Sequence, residues 1–230
     1  MSFAVTVITD SLHMRKGAGQ TFDSLGFVSK GAELDALCID STGTWLQVKQ
    51  TGQGGLIGWC SARYLLPKTV LAAPWLTVAG QEIGVKQYPG KDTDHPRIQT
   101  YLSSVNDLNN IDKLTEETPW CSCFINWCVE QTHISGTDSA WARSWGNWRE
   151  TITLDDAKTG DIAVFDRITA NTNGGHVGIF IETDSTTGLI LVLGGNQSNA
   201  VRYSWYPTDG NANNTRYSLL SCRRAKSVKA

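Results

Sequence analysis

The sequence contains no apolar run approaching the ~20 residues that a membrane-crossing helix needs. Its first residues, MSFAVTVITD, lack the basic segment and continuous apolar stretch of a secretory signal. Cytoplasmic synthesis without a signal peptide is therefore expected, and no stable membrane insertion. Charge of one sign is also missing. The 20 Lys and Arg nearly balance the 22 Asp and Glu, for a net charge of −2, which gives no general pull toward nucleic acid. A small basic cluster (Arg223, Arg224, Lys226, Lys229) reads as a solvated tail. Histidine is scarce, at four residues, and no paired C-x2-C spacing marks a structural zinc site. Internal repeats and low-complexity tracts are absent.

What is present divides into two textures. Residues 1–66 carry short β-prone runs (Ala4–Val7, Ala32–Leu37, Trp45–Val48, Leu56–Cys60) separated by glycine-bearing turns, which predicts a small all-β barrel. Residues 67–73, opening Pro67-Lys68-Thr69, read as a linker. From 74 to 230 the pattern is mixed. Trp75, Leu76, Ala79 and Ile83 share one helical face, and Ile98, Tyr101, Leu102 and Val105 form a second stripe after Pro96. A third helix is expected from Thr118. A fourth should carry Trp141, Trp145 and Trp148 at i, i+4 and i+7, an arrangement that serves either a core or the wall of a groove. Strands follow at Asp161–Phe165, His176–Ile181, Leu189–Leu193 and Tyr217–Cys222. Helices first and strands afterwards predict an α+β domain with an antiparallel sheet.

Three of the six cysteines fall in TPWCSCFINWC, residues 118–128. A Cys121–Cys123 disulfide would strain a helix, Cys121 and Cys128 lie two turns apart and beyond the usual Cα reach, and synthesis in the cytoplasm favours thiols. Thr118 is a good N-cap and Pro119 suits the first helical position, which puts Cys121 in the first turn. There the free amides and the helix dipole favour an anion and should lower the thiol pKa. Cys128, two turns deeper, reads as core. Position thus prefers Cys121 as a nucleophile over a buried structural thiol without excluding the latter.

A thiolate nucleophile needs a base. His13 lies in the barrel segment and His95 in a loop before Pro96. His133 is roughly 18 Å further along the Cys121 helix axis. His176, which opens a strand after Gly174-Gly175, remains. If the hairpin through Thr183–Leu189 is symmetric, paired residue numbers sum to 372 and Asn196 lies opposite His176, able to orient it. A shift of one residue would bring Gln197 or Gly195 there instead.

With these residues identified, PWCSCFINWC, GDIAVFDR and GGHVGIFIE resemble the nucleophile helix and the two following strands of the papain-like NlpC/CHAP cysteine peptidases. APWLTVAGQEIGVKQYPG and LGGNQSNAV extend the resemblance to residues 73–222. LHMRKGAG, GFVSKGAEL, TWLQVKQ and GLIGWCSARYL resemble a bacterial SH3-like domain over residues 4–66. The resemblance implies Cys121 as nucleophile, His176 as general base and acid, and Asn196 as the orienting group, with Trp120, Gln197 and Trp145 as substrate contacts. No metal or cofactor is expected. The implied activity is hydrolysis of a peptidoglycan amide, either as a muramoyl-L-alanine amidase or as a stem-peptide endopeptidase. The enzyme would reach the periplasm or cell wall by a non-classical route, as a phage lysin or a secreted effector with secretion machinery and an immunity or inhibitor protein as partners. The alternatives are a catalytically silent cell-wall-binding or docking protein, and a papain-like enzyme acting on a host protein. Cys123 stands where relatives usually carry alanine.

Overall fold

The computed structural model describes residues 2–52, 54–69, 73–90, 94–106, 115, 117–168, 174–209 and 217–225. Seven short strands come first: β1 (Phe3–Val7), β2 (Ser11–Arg15), β3 (Ser24–Ser29), β4 (Glu33–Ile39), β5 (Trp45–Gln50), β6 (Ile57–Ser61) and β7 (Leu65–Pro67). Alternation drives them together. Val5 and Val7, Leu12 and Met14, Leu34 and Ala36, and Leu46 and Val48 all turn inward at every second position. They pair in one antiparallel sheet of order β3-β2-β6-β5-β4-β1-β7. The sequence reading did not list β2, β3 or β7 as strands. In β3 the large residues Leu25 and Phe27 face solvent, so the inward pattern is inverted and gives no signal.

Among the described residues three α-helices follow: α1 (Trp75–Gln81), α2 (Pro96–Leu102) and α3 (Cys121–Glu130). Pro96 occupies the first position of α2, and the His95 ring nitrogen Nδ1 accepts from the Arg97 amide at 3.1 Å. Then come β8 (Glu150–Ile152), β9 (Ile162–Arg167), β10 (Gly175–Thr183), β11 (Ile190–Gly194), β12 (Arg202–Tyr206) and β13 (Tyr217–Arg224). They form an antiparallel sheet ordered β12-β11-β10-β9-β13-β8, so the fold is α+β as the element order predicts. The tryptophan-bearing segment is a 3-10 helix over Ala142–Asn147, tighter than the α-helix expected there.

β10 lies near the middle of this sheet and is buried on both faces. Val177, Ile179 and Ile181 join Phe124, Ile125 and Val129 of α3 in the main apolar cluster, which continues into the N-terminal sheet through Leu76, Ala79, Ala62 and Leu65. On the opposite face Phe180 packs with Ala163, Phe165, Ile190 and Val192. The strand carrying His176 is thus clamped between two packed layers. Between the two sheets, β7 ends at Pro67 and α1 starts at Trp75, while residues 70–72 of the expected linker lie outside the described set. The Trp75 indole donates to the Gly160 carbonyl at 2.9 Å.

Arg223 and Arg224 are not in a solvated tail. Both belong to β13, and Lys226 and Lys229 lie outside the described residues. Arg223 Nε donates to the Trp148 carbonyl at 2.9 Å. Arg224 makes a two-pronged contact with the fully buried Asp161, at 2.8 and 2.6 Å, and Asp161 also accepts the Lys158 amide. Removing one partner of such a pair strands the other as an unpaired buried charge. Arg224→Met is therefore expected to lower the unfolding free energy by about 3–5 kcal/mol, measured by urea denaturation, whereas Lys16→Met in the exposed Lys16–Asp23 pair should change it little.

Candidate active site

α3 begins two residues later than Thr118 and Pro119 suggest. Trp120 is its N-cap residue, with φ −107° and ψ 14°, and its carbonyl accepts the first helical bond from the Phe124 amide at 2.9 Å. The cause is burial of the Trp120 indole, which is fully enclosed against Tyr101 and Phe124 and holds that residue outside helical geometry. Thr118 instead turns back, its amide bonding to the Thr115 carbonyl. Cys121 is thus the first helical residue.

Nine of the ten α3 residues are buried, so its polar side chains need partners. The Ser122 hydroxyl donates to the Ser139 carbonyl at 2.6 Å and accepts from the Trp145 indole at 2.9 Å. Asn126 donates to the Ser104 carbonyl and accepts the Asp138 amide. These bonds fix the helix start that presents Cys121. Trp145 accordingly belongs to the core, fully buried, and Trp120 likewise; neither lines the cleft expected to receive substrate.

That cleft, of about 490 Å³, is lined by Cys121, His176 and Asn196 together with Pro119, Trp141, Arg167 and Tyr217, among others. Of the clustered thiols, Cys121 is the one that reaches it, while Cys123 and Cys128 are sealed in the core. Trp141, half exposed, is the tryptophan at the cleft wall, with the Arg143 guanidinium 5.7 Å from its ring. All six cysteines are free thiols.

The 372 register is correct at the site end of the hairpin, with Ile179 opposite Leu193 and Phe180 opposite Val192. A bulge shifts the loop end by one residue. The ladder stops there. After Gly194 the chain turns, with Asn196, Ser198 and Asn199 all at positive φ. Gly195 passes so close to α3 that a Cβ would lie 2.6 Å from Trp120 Cζ3 and Phe124 Cβ, so only glycine permits this path. The turn leaves Asn196 facing the cleft and carries Gln197 inward beneath the imidazole. The residue bonded to His176 is therefore Gln197, whose Oε1 lies 3.0 Å from His176 Nε2, and not Asn196. Gln197 is buried and away from the cleft wall, so it is not placed as a substrate contact either.

The Gln197 amide also fixes the histidine tautomer. Its Nε2 donates to the Arg202 carbonyl and, at 3.4 Å, to the Val192 carbonyl. Carbonyls only accept, so the amide nitrogen faces them and the oxygen must face the ring. His176 Nε2 is then the protonated nitrogen, and Nδ1 keeps its lone pair. Tyr206 stacks on the imidazole at 4.8 Å, Tyr217 meets it edge-on at 6.0 Å, and Phe165 lies tilted against it at 6.3 Å. These aromatic partners carried no sequence signal, because they come from β12, β13 and β9 and only the sheet order unites them.

Burial controls the charges. It pushes the Cys121 thiol above its ordinary pKa, against the opposing pull of the Val177, Ser122 and Cys121 amides directed at the sulfur. The helix-start effect expected from sequence is thus present but outweighed. Burial pulls His176 down to about 4, with the Gln197 bond opposing. At neutral pH the resting site holds a thiol and a neutral imidazole. Arg167 projects from β9 on the face that carries Phe165 and His176. Its Nε is buried without a hydrogen-bond partner, and it forms no ion pair among the described residues, whereas neighbouring Arg143 pairs with Asp166 at 3.5 Å.

A histidine whose folded pKa lies near 4 and whose unfolded value is 6.5 makes the folded state bind fewer protons between those values. Its contribution favours folding above pH 6.5 and is lost as pH falls toward 4, on the order of 3 kcal/mol. Comparing the pH dependence of denaturation for wild type and His176→Phe should isolate this loss, with the variant lacking it.

Residues 114–196 match the CHAP domain family and residues 10–65 the bacterial SH3 domain family. No curated protein matches the chain. Similar solved structures include NlpC2 from Trichomonas vaginalis (17% identical, TM-score 0.39, covering 97% of this chain and 72% of that one). NlpC1 from the same organism is 16% identical, with a TM-score of 0.40, covering 97% and 69%. An NlpC/P60 family protein from Bacillus cereus ATCC 10987 is 13% identical, with a TM-score of 0.39, covering 97% and 63%. The chain thus carries a segment similar to the bacterial SH3 domain family, within its N-terminal sheet, followed by a segment similar to the CHAP domain family, which holds both Cys121 and His176.

Proposed function

We propose that the protein hydrolyses an amide bond of the peptidoglycan stem peptide, with Cys121 as nucleophile and His176 as general base and acid. The observation that carries this reading is the shared cleft: Cys121 and His176 both line it, and the Gln197 bond to Nε2 leaves Nδ1 as the basic nitrogen. His176 Nδ1 takes the thiol proton as the sulfur attacks the amide carbonyl, then delivers it to the departing amine. A water molecule activated by the same imidazole cleaves the thioester and restores the thiol. The backbone amides around the α3 start, directed at the sulfur, are suited to hold the oxyanion. Because thiol and imidazole are both neutral at rest, proton transfer accompanies attack instead of preceding it.

In this mechanism Gln197 takes the orienting role that the resemblance gives to Asn196. Asn196 lines the cleft, which supports a role for it as a substrate contact. Trp141 supplies an exposed aromatic surface at the same cleft. Arg167 supplies a cation with an unmet donor, which suits a carboxylate on the substrate near the scissile bond, and stem peptides are rich in carboxylates.

Purified protein should release soluble peptides and new amines from sacculi. Cys121→Ala should abolish this and Cys123→Ala should retain most of it; the opposite result would reassign the nucleophile. Mass spectrometry of the released muropeptides identifies the amide cut. Arg167→Met should raise KM roughly 10–100-fold on substrates bearing the carboxylate, the equivalent of a lost charge-assisted hydrogen bond, with kcat affected less. On the matching amidated substrate, wild type and variant should converge.

A further inference from the structure

We infer that the SH3 domain positions the active-site imidazole, through a hydrogen-bonded relay that runs from the β4–β5 turn to Gln197. The first link is Asp40, whose carboxylate accepts from the Thr42 amide (2.8 Å) and hydroxyl (2.6 Å), the Thr44 amide (3.0 Å) and the Trp45 amide (2.9 Å). One side chain thereby shapes the whole turn. Burial pushes this carboxyl up, yet those hydrogen bonds hold it below its ordinary value, so the ionised, fully accepting form prevails at neutral pH.

The turn then grips the far sheet. The Gly43 carbonyl accepts the Tyr203 amide at 3.0 Å, and the Ser41 carbonyl accepts Arg202 Nη2 at 2.7 Å. Gly43 has φ +68°, and a Cβ there would lie 2.2 Å from the Tyr203 carbonyl oxygen, so both conformation and contact require glycine. Arg202 is the residue whose carbonyl receives the Gln197 amide nitrogen, and Gln197 Oε1 in turn holds His176. The chain of contacts is therefore Asp40, Ser41 and Gly43, Arg202 and Tyr203, Gln197, His176.

The turn bearing Gln197 is braced from a second direction. The Gly84 amide donates to the Val201 carbonyl, the Val201 amide to Val85, and the Gln87 amide to the Asn199 carbonyl, at 2.9, 2.8 and 2.9 Å. The segment after α1 sets the path of this turn from one side, and the SH3 turn fixes Arg202 from the other. A turn with three non-glycine residues at positive φ is costly to hold without such braces. Asp40 and Gly43 do not line the cleft and act only through Gln197, as positioning residues.

The inference rests on the role proposed above for His176, but it can be tested without turnover. In the full chain, Gly43→Ala and Arg202→Met are compared with wild type for the NMR titration of His176 and for the pH profile of Cys121 alkylation by iodoacetamide. Turnover on sacculi is a third readout. Arg202→Met removes the Ser41 link without adding atoms, and so serves if Gly43→Ala fails to fold. Both variants should move the His176 titration toward the ordinary histidine value and alter the alkylation profile. They should also lower kcat roughly 10–100-fold with KM little changed, as expected for a misplaced reacting group. Asp40→Asn, whose NH2 would face either the Thr42 donors or the Thr44 and Trp45 amides, should shift both readouts in the same direction as the other two variants. A folded variant with unchanged His176 titration and alkylation overturns the relay, as does a fall in activity that leaves both unmoved. If wild type cuts no sacculi while the titration and alkylation shift as expected, the relay stands and the substrate assignment fails.

Discussion

The role proposed for His176 depends on which of its two nitrogens carries the proton, and one glutamine sets that. Gln197 is itself held by carbonyls that can only accept, so its oxygen has a single place to go, at 3.0 Å from His176 Nε2. Much of the surrounding architecture serves this contact. Gly195 lets the chain pass between Trp120 and Phe124, the bulge in β10 sets the hairpin register, and the aromatic rings of Tyr206, Tyr217 and Phe165 exclude water from the ring. On the other side of the cleft, Trp145 and Ser122 lock the helix start that carries the thiol.

Much of this was legible in the sequence. Cys121 and His176, singled out by capping logic and elimination, line one cleft, although the cap itself is Trp120 and not Thr118. The helical stripes of α1 and α2 and the four main strands of the second sheet fall where periodicity puts them. The error at Asn196 is instructive. The pairing arithmetic was right at Ile179 and Leu193, yet it was extended past the last paired residue, where three positive-φ residues redirect the chain. Register can be read from alternation; the exit path of a turn depends on packing against α3, which no local pattern encodes. The same holds for Trp120, which burial removes from the helix, and for Arg224, whose partner Asp161 lies 63 residues away.

The electrostatics also reverse a local rule. A cysteine at a helix start is expected to favour thiolate, and three amides do point at the sulfur, but desolvation outweighs them. The outcome is a neutral, water-poor pair beside an unmatched cation, Arg167. In the proposed mechanism that cation meets a carboxylate on the substrate, and the N-terminal sheet acts as a brace through Arg202 and Gln197.

The most direct measurement is 15N NMR of His176 in the resting protein near pH 7. The account predicts a neutral ring protonated at Nε2, and loss of that single tautomer in Gln197→Leu. A ring protonated at Nδ1, or an imidazolium at neutral pH, would contradict it.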